Sequence, residues 1–215
     1  MSISAEQVKQ LRETTGAGMM ECKVALQEAQ GDLEKAIVIL RKKGLAAAAK
    51  KSERLTAEGV VCSYVHGGGK IGVLLELNCE TDFVAKTPEF QELARDIAMH
   101  VAALDPKYVR REEIPATVLD EEREIHRSKA LGSGKPPAVI EKIVEGQLSK
   151  YFSEVCLLDQ PFVKDDKLTV GQLITEKVAQ IKENINLRRF VRFKLGEGLQ
   201  KKSGDFAAEV AAQLK

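Results

Sequence analysis

An excess of charge of either sign is missing from this chain: 33 basic residues stand against 32 acidic ones, a formal charge of +1. So even a balance gives no field of the kind that marks a dedicated nucleic-acid binder. Also missing is an apolar run near the roughly 20 residues that span a bilayer, so no membrane association is expected. The start at Met1 lacks the basic-then-apolar pattern of a signal peptide. Cys22, Cys62, Cys79 and Cys156 stand far apart with no CxxC pair, the spacing of buried or free thiols in a reducing compartment. A cytoplasmic location is therefore expected. What is present, 44% hydrophobic and 30% charged residues in a chain of 215, suits one or two globular domains with a real core.

Chemistry is scarce too. His66, His100 and His126 are the only histidines, and none has a His or Cys partner at zinc-ligand spacing. The glycines at 16–18 are not preceded by a strand or followed by Gly-Lys-Ser/Thr, so they read as a turn and a helix start rather than a phosphate loop. The run Gly67, Gly68, Gly69, Lys70 fails likewise, because Ile71 stands where a hydroxyl is needed. Cys79 with His100 could form a thiol-hydrolase pair, and Glu76, Glu80 and Asp82 an acid–base set. Core residues and solvated turn acids are the plainer readings. No enzyme, cofactor or metal is expected.

Periodicity divides the chain. Residues 1–55 read as a three-helix module: Val8 and Leu11 in the first helix, Val24 and Leu26 in the second, and Leu33, Ile37 and Leu40 in a third capped by Asp32. The Ala-rich, Lys/Arg-rich stretch 41–54 reads as a solvated connecting helix or a binding patch. Alternation over 60–66 and 71–77, with Ile71, Val73, Leu75 and Leu77 on one face, predicts a hairpin closed by the three glycines. After a turn at 81–85, Thr87 and Pro88 announce a helix whose face carries Phe90, Leu93, Ala94, Ile97, Ala98 and Val101. Patterns over 116–132 and 137–152 predict a helical hairpin. Thr169 and Gln172 have capping-box spacing. A last strand is predicted with Leu187, Arg189, Val191, Phe193 and Leu195 on one face, then a terminal helix with Phe206, Val210 and Leu214. The expected class is α+β: a core over 56–200 containing the hairpin at about 116–152, and a C-terminal helical module over 201–215.

Two features invite a binding role. Arg188, Arg189, Arg192 and Lys194, interleaved with Phe190 and Phe193, could hold RNA phosphates and stack bases. The same stripe suits a partner-facing strand. Phe83, a large aromatic in an acidic turn beside Asp82, is either a core anchor or an exposed wedge of the kind common at interfaces.

The segments LRETTGAGMMECKVAL at 11–26 and LNCETDFVAK at 77–86 resemble the two signatures of the elongation factor Ts family. Further similarity runs through IAMHVA at 97–102, QPFV at 160–163, ENINLRR at 183–189 and DFAAEVA at 205–211, in family order over nearly the whole chain. The resemblance implies a ubiquitin-associated-like N-terminal domain, a sheet-containing core and a helical-hairpin insertion. It implies elongation factor Tu as partner, with GDP released by disturbing the Mg²⁺ and phosphate site, and no bond chemistry. By the same resemblance the disturbing turn is Thr81, Asp82, Phe83 and Val84, with His66 a secondary contact, while Met19 and Met20, an apolar knob beside a helix start after a two-glycine turn, suit a groove on the partner as further secondary contacts. Long family members carry two related core halves, whereas this chain holds one. That implies a homodimer through the core sheet, with Val191 and Phe193 near the seam. The alternative reading is an RNA-binding module associated with translation.

Overall fold

The computed structural model describes residues 3–132 and 135–199, so the helix expected around Phe206 lies outside the described residues. The class is α+β, as expected. Three helices, α1 (Ala5–Thr15), α2 (Met19–Glu28) and α3 (Leu33–Ala49), precede a hairpin of β1 (Glu58–His66) and β2 (Ile71–Cys79). Then come the one-turn α4 (Asp82–Ala85), α5 (Pro88–Leu104) and the pair α6 (Ala116–Leu131) and α7 (Pro137–Val155). A short ribbon of β3 (Pro161–Phe162) and β4 (Asp165–Thr169) leads to α8 (Val170–Ile181) and β5 (Ile185–Lys194).

Helix starts obey local chemistry. Ser4 and Gln7 form a reciprocal capping box, Asp32 accepts from the Lys35 amide, and Thr87 accepts from that of Phe90 with Pro88 in the first turn. Thr169 and Gln172 form the expected second box.

The first three helices gather their own apolar cluster of Val8, Leu11, Cys22, Ala25, Leu26 and Ala36. Val24 is exposed, contrary to expectation, because α2 turns its small residues Cys22 and Ala25 inward. The stretch after residue 40 is exposed or half-buried throughout. It continues α3, which leaves its own module and packs on α8. A Cβ built on Gly44 would come within 3.0 Å of that of Ala179, so the two helices meet closely.

The three-stranded antiparallel sheet has the order β1-β2-β5. Val73, Leu75, Leu77 and Cys79 face a core completed by Phe90, Leu93, Ile97 and Val101 of α5 and by Val170, Ile174 and Val178 of α8. The face expected for β5 is corrected. A register shift opposite Glu76 and Leu77 leaves Arg188 as an extra residue. Leu187 therefore points into the core opposite Leu77, but beyond the bulge Phe190 and Arg192 take that face. Val191, Phe193 and Leu195 are exposed. Arg192 turns inward to the Ala102 carbonyl and to Asp105 at 3.2 Å. Helices α6 and α7 form the expected hairpin around Ala130, Ile140, Val144 and Leu148, tied by Arg127 to both oxygens of Glu141.

His100 is fully buried on α5. Its Nδ1 accepts the Val163 amide at 3.2 Å, so Nε2 carries the proton and donates to Gln160 Oε1 at 2.9 Å. Burial holds its pKa below the ordinary 6.5, against a smaller raising effect of Gln160. The unfolded chain therefore takes up the proton first, so stability is complete above about pH 6.5 and is lost as pH falls below it, by at most about 1.4 kcal/mol per pH unit. Urea unfolding at pH 7.5 and 5.5 should show the parent losing more stability than His100→Gln over that interval, with about 1.4 kcal/mol as the upper bound. Equal losses would mean that the histidine is not the sensor.

Candidate protein-interaction site

The site begins where β2 ends. Thr81 sits in extended conformation (φ −126°) and caps α4 by accepting the Val84 amide at its hydroxyl, 3.3 Å away. One helical turn then sends successive side chains to opposite sides. Val84 and Ala85 are buried in the core, whereas Phe83 is 76% exposed, so its ring does not sit in the core. Asp82, also exposed, pairs with Lys86 one turn on at 2.7 Å. That bond holds the Asp82 carboxyl below its ordinary range, so it is ionised. Of the four residues of the turn, Asp82 and Phe83 face outward. Thr81 is the cap and Val84 the root.

The turn is braced from across the chain. Glu183, between α8 and β5, accepts the backbone amides of Glu80 and Thr81 at 3.1 and 3.0 Å and the Thr81 hydroxyl at 2.7 Å. Glu80 answers by accepting the Asn184 amide at 2.6 Å and lies 3.4 Å from Arg54 Nη1. Sequence reasoning did not single out Glu183 or Asn184. The signal that could have found them is the register of β2 with β5, in which Cys79 faces Ile185.

Met19 and Met20 open α2, and the Met20 side chain is 70% exposed. They lie near the same end of the fold as Phe83. Gln180 Nε2 donates to the Thr15 carbonyl at 2.9 Å, and Lys182 pairs with Glu21 at 2.6 Å. A groove of about 540 Å³ runs between this module and α8, with Met20, Val24 and Leu45 along it. His66 is elsewhere. It pairs with Ile71 at the hairpin tip, while Glu58 pairs with Cys79 at the Phe83 end. Eight strand steps separate those ends, roughly 26 Å at ~3.3 Å each. Its Nδ1 meets the Tyr64 hydroxyl at 3.0 Å, with the rings stacked.

The competing chemistries lose their geometry. Cys79 donates to the Thr81 carbonyl at 3.1 Å, and burial, with Glu183 nearby, pushes its thiol up to about 11. His100 is committed to Gln160 and Val163, so the pair is not a nucleophile and base. Arg188 and Arg189 both grip Glu76, at 2.8 and 2.7 Å, and hold its carboxyl below the ordinary range. With Arg192 turned inward, one cation of the four, Lys194, has no role in these contacts. Among the described residues, no group of three or more His, Cys, Asp or Glu could hold a metal ion, and no helix is long and apolar enough to cross a membrane.

Comparison with known proteins gives a consistent result. A family model described as "Elongation factor TS" matches residues 4–197. An elongation factor Ts of Carboxydothermus hydrogenoformans is 66% identical over 213 residues, covering 99% of this chain and 98% of that one. Those of Heliobacterium modesticaldum and Geobacter sulfurreducens are each 60% identical over 212 residues, with 99% of this chain and 99% and 98% of theirs covered.

Proposed function

Since the chain belongs to the elongation factor Ts family, whose members serve translation elongation, we propose that it binds elongation factor Tu carrying GDP and speeds the departure of that GDP. The observation that carries the proposal is a large aromatic ring held in water on a rigid one-turn helix, beside an ionised carboxylate. An exposed ring rooted by buried Val84 and Ala85 loses little freedom on docking, which is how a preformed anchor gains affinity. GDP and its Mg²⁺ are held by oxygen ligands and loop amides whose geometry is exacting. Phe83 and Asp82 favour a partner conformation in which that geometry is poor. No bond is made or broken, and the effect is a shift of populations.

Coupling of this kind is reciprocal: whatever the wedge does to nucleotide affinity, nucleotide does to the wedge. The affinity of the chain for elongation factor Tu should therefore fall as GDP and Mg²⁺ are added in a calorimetric titration. An affinity indifferent to GDP would remove the proposal. Met19 and Met20 supply a second grip, on the module's exposed helix start. The RNA-binding alternative loses support from the pairing of Arg188 and Arg189 with Glu76. It would return if RNA bound tightly with a steep dependence on salt.

The outer sheet face supports a homodimer. Val61, Val65, Leu74, Val191 and Phe193 are all exposed there, with Phe193 at 68%. The apolar surface is this face rather than the strand edge, and two copies could bury it against each other. A second copy could also supply His66 where one copy holds it far from Phe83. Sedimentation at high concentration should give twice 23.6 kDa, and Phe193→Glu should return the single mass. A parent that stays at the single mass would refute the dimer.

A further inference from the structure

We infer that Glu183 is a positioning residue for the Phe83 wedge, acting through a two-way clasp between the α8–β5 corner and the turn at residues 80 and 81. The inference rests on the wedge reading of Phe83 above. The clasp runs in both directions. The Glu183 carboxylate receives three donors, the amides of Glu80 and Thr81 and the Thr81 hydroxyl. The Glu80 carboxylate receives the amide of Asn184. Because the Thr81 hydroxyl gives its proton to Glu183, its lone pairs are left to accept the Val84 amide that starts α4. The direction in which Asp82 and Phe83 leave the sheet is thus set by a carboxylate about a hundred positions along the chain.

The corner does more than hold the wedge. Buried Asn184 donates to the carbonyls of Ser52 and Arg54, at 3.3 and 2.8 Å, and so fixes the segment that follows α3. One residue before Glu183, Lys182 pairs with Glu21 beside Met19 and Met20. The corner therefore ties the module carrying the methionines to the turn carrying the ring. A partner gripped at both places meets them at a fixed spacing, which is what productive geometry requires. The choice of residue follows from the donor count. A carboxylate offers an acceptor to all three donors, whereas a glutamine at best keeps its one oxygen for the two amides and turns its N–H₂ group on the Thr81 hydroxyl, whose own proton then loses its acceptor. Glu183 is only half-buried and belongs to no apolar cluster, so its loss should loosen the turn without opening the core.

Glu183→Leu keeps about the volume and removes every acceptor of the clasp. In the free chain, amide exchange at Thr81 should quicken about tenfold or more. Release of GDP from elongation factor Tu should slow about tenfold, while affinity for the nucleotide-free partner changes less than about threefold. In a Phe83→Ala background the same substitution should change release by less than about twofold, because the ring through which Glu183 acts is gone. Unchanged Thr81 protection, or effects of the two substitutions that simply multiply, would overturn the inference. If the parent chain fails to speed release at all, the exchange function falls, while Thr81 exchange in the free chain still decides whether the clasp exists. Should Glu183→Leu lower the melting temperature by several degrees, Glu183→Ala, which removes the acceptors without adding apolar bulk, is judged by the same outcomes.

Discussion

Phe83→Ala should leave the melting temperature within about 1–2 °C of the parent and slow GDP release from elongation factor Tu about 30-fold. The first half follows from exposure. A ring that is 76% exposed contributes about 0.5 kcal/mol or less to stability, as surface positions do. In a chain of this size that moves melting by only a degree or two. The second half follows from the energetics of interface anchors. Buried aromatic anchors are worth about 2 kcal/mol or more on truncation, which corresponds to about 30-fold in rate. The loss should fall on release more than on binding to the nucleotide-free partner, since a wedge would act where it and the nucleotide compete. Asp82→Ala should follow in the same direction more weakly. A core anchor would behave oppositely, losing about 3–5 kcal/mol on truncation. Thermal melting of the free variant and stopped-flow release with the partner decide between the two. Normal melting with normal release would move the effector away from Phe83 altogether.

Gly59→Ala should be the most damaging single methyl in the sheet. Gly59 lies at φ +144°, pairs with Asn78, and has no room for a side chain: an added Cβ would stand 2.2 Å from the Leu77 carbonyl oxygen and 2.7 Å from the Asn78 Cα. Both are backbone atoms of the central strand, so relief requires β1 to peel from β2 just before the turn that carries Phe83. Backbone strain and overpacking each cost about 1–3 kcal/mol, and together about 3 kcal/mol is expected. That lowers melting by roughly 6–12 °C for a chain of this size. Gly68→Ala, in the hairpin loop at φ +66° with open space around it, is the control. It carries only the conformational penalty, about 1 kcal/mol. Equal melting of the two variants would show that the close approach at Gly59 is not what the strand depends on.

Much of the fold was legible because local rules and tertiary packing agree in it. Asp32, Thr87 and Thr169 announced their helices through side chains that bond the next turn. The alternation of Val73, Leu75 and Leu77 named the buried face of β2. Errors came where packing overrode local signals. Large residues drew attention to Val24, although α2 turns Cys22, Ala25 and Leu26 into the module's apolar cluster and leaves Val24 outside. One extra residue at Arg188 exchanged the two faces of β5, and nothing in a stretch of alternating residues reveals a bulge before its partner strand is known. Of the candidate site, the turn itself could be found and the support could not. Phe83 stood out as an aromatic among acids, but its exposure depended on Val84 and Ala85 taking the inward side of a single helical turn. Glu183 was invisible because its work is done on residues a hundred positions away. The separation of His66 from Phe83 became plain only with the register of β1 on β2.

Elongation factor Tu loaded with fluorescent GDP and Mg²⁺, chased with unlabelled GDP in a stopped-flow instrument, gives the most direct test. Adding this chain should accelerate loss of the fluorescent nucleotide by about 10- to 100-fold, in the range of strong coupling between two sites. The rate should climb with the concentration of the chain until the partner is saturated. Release at the same rate with and without the chain, under conditions where the two proteins demonstrably form a complex, would contradict the exchange function and leave the exposed ring of Phe83 without a role in it.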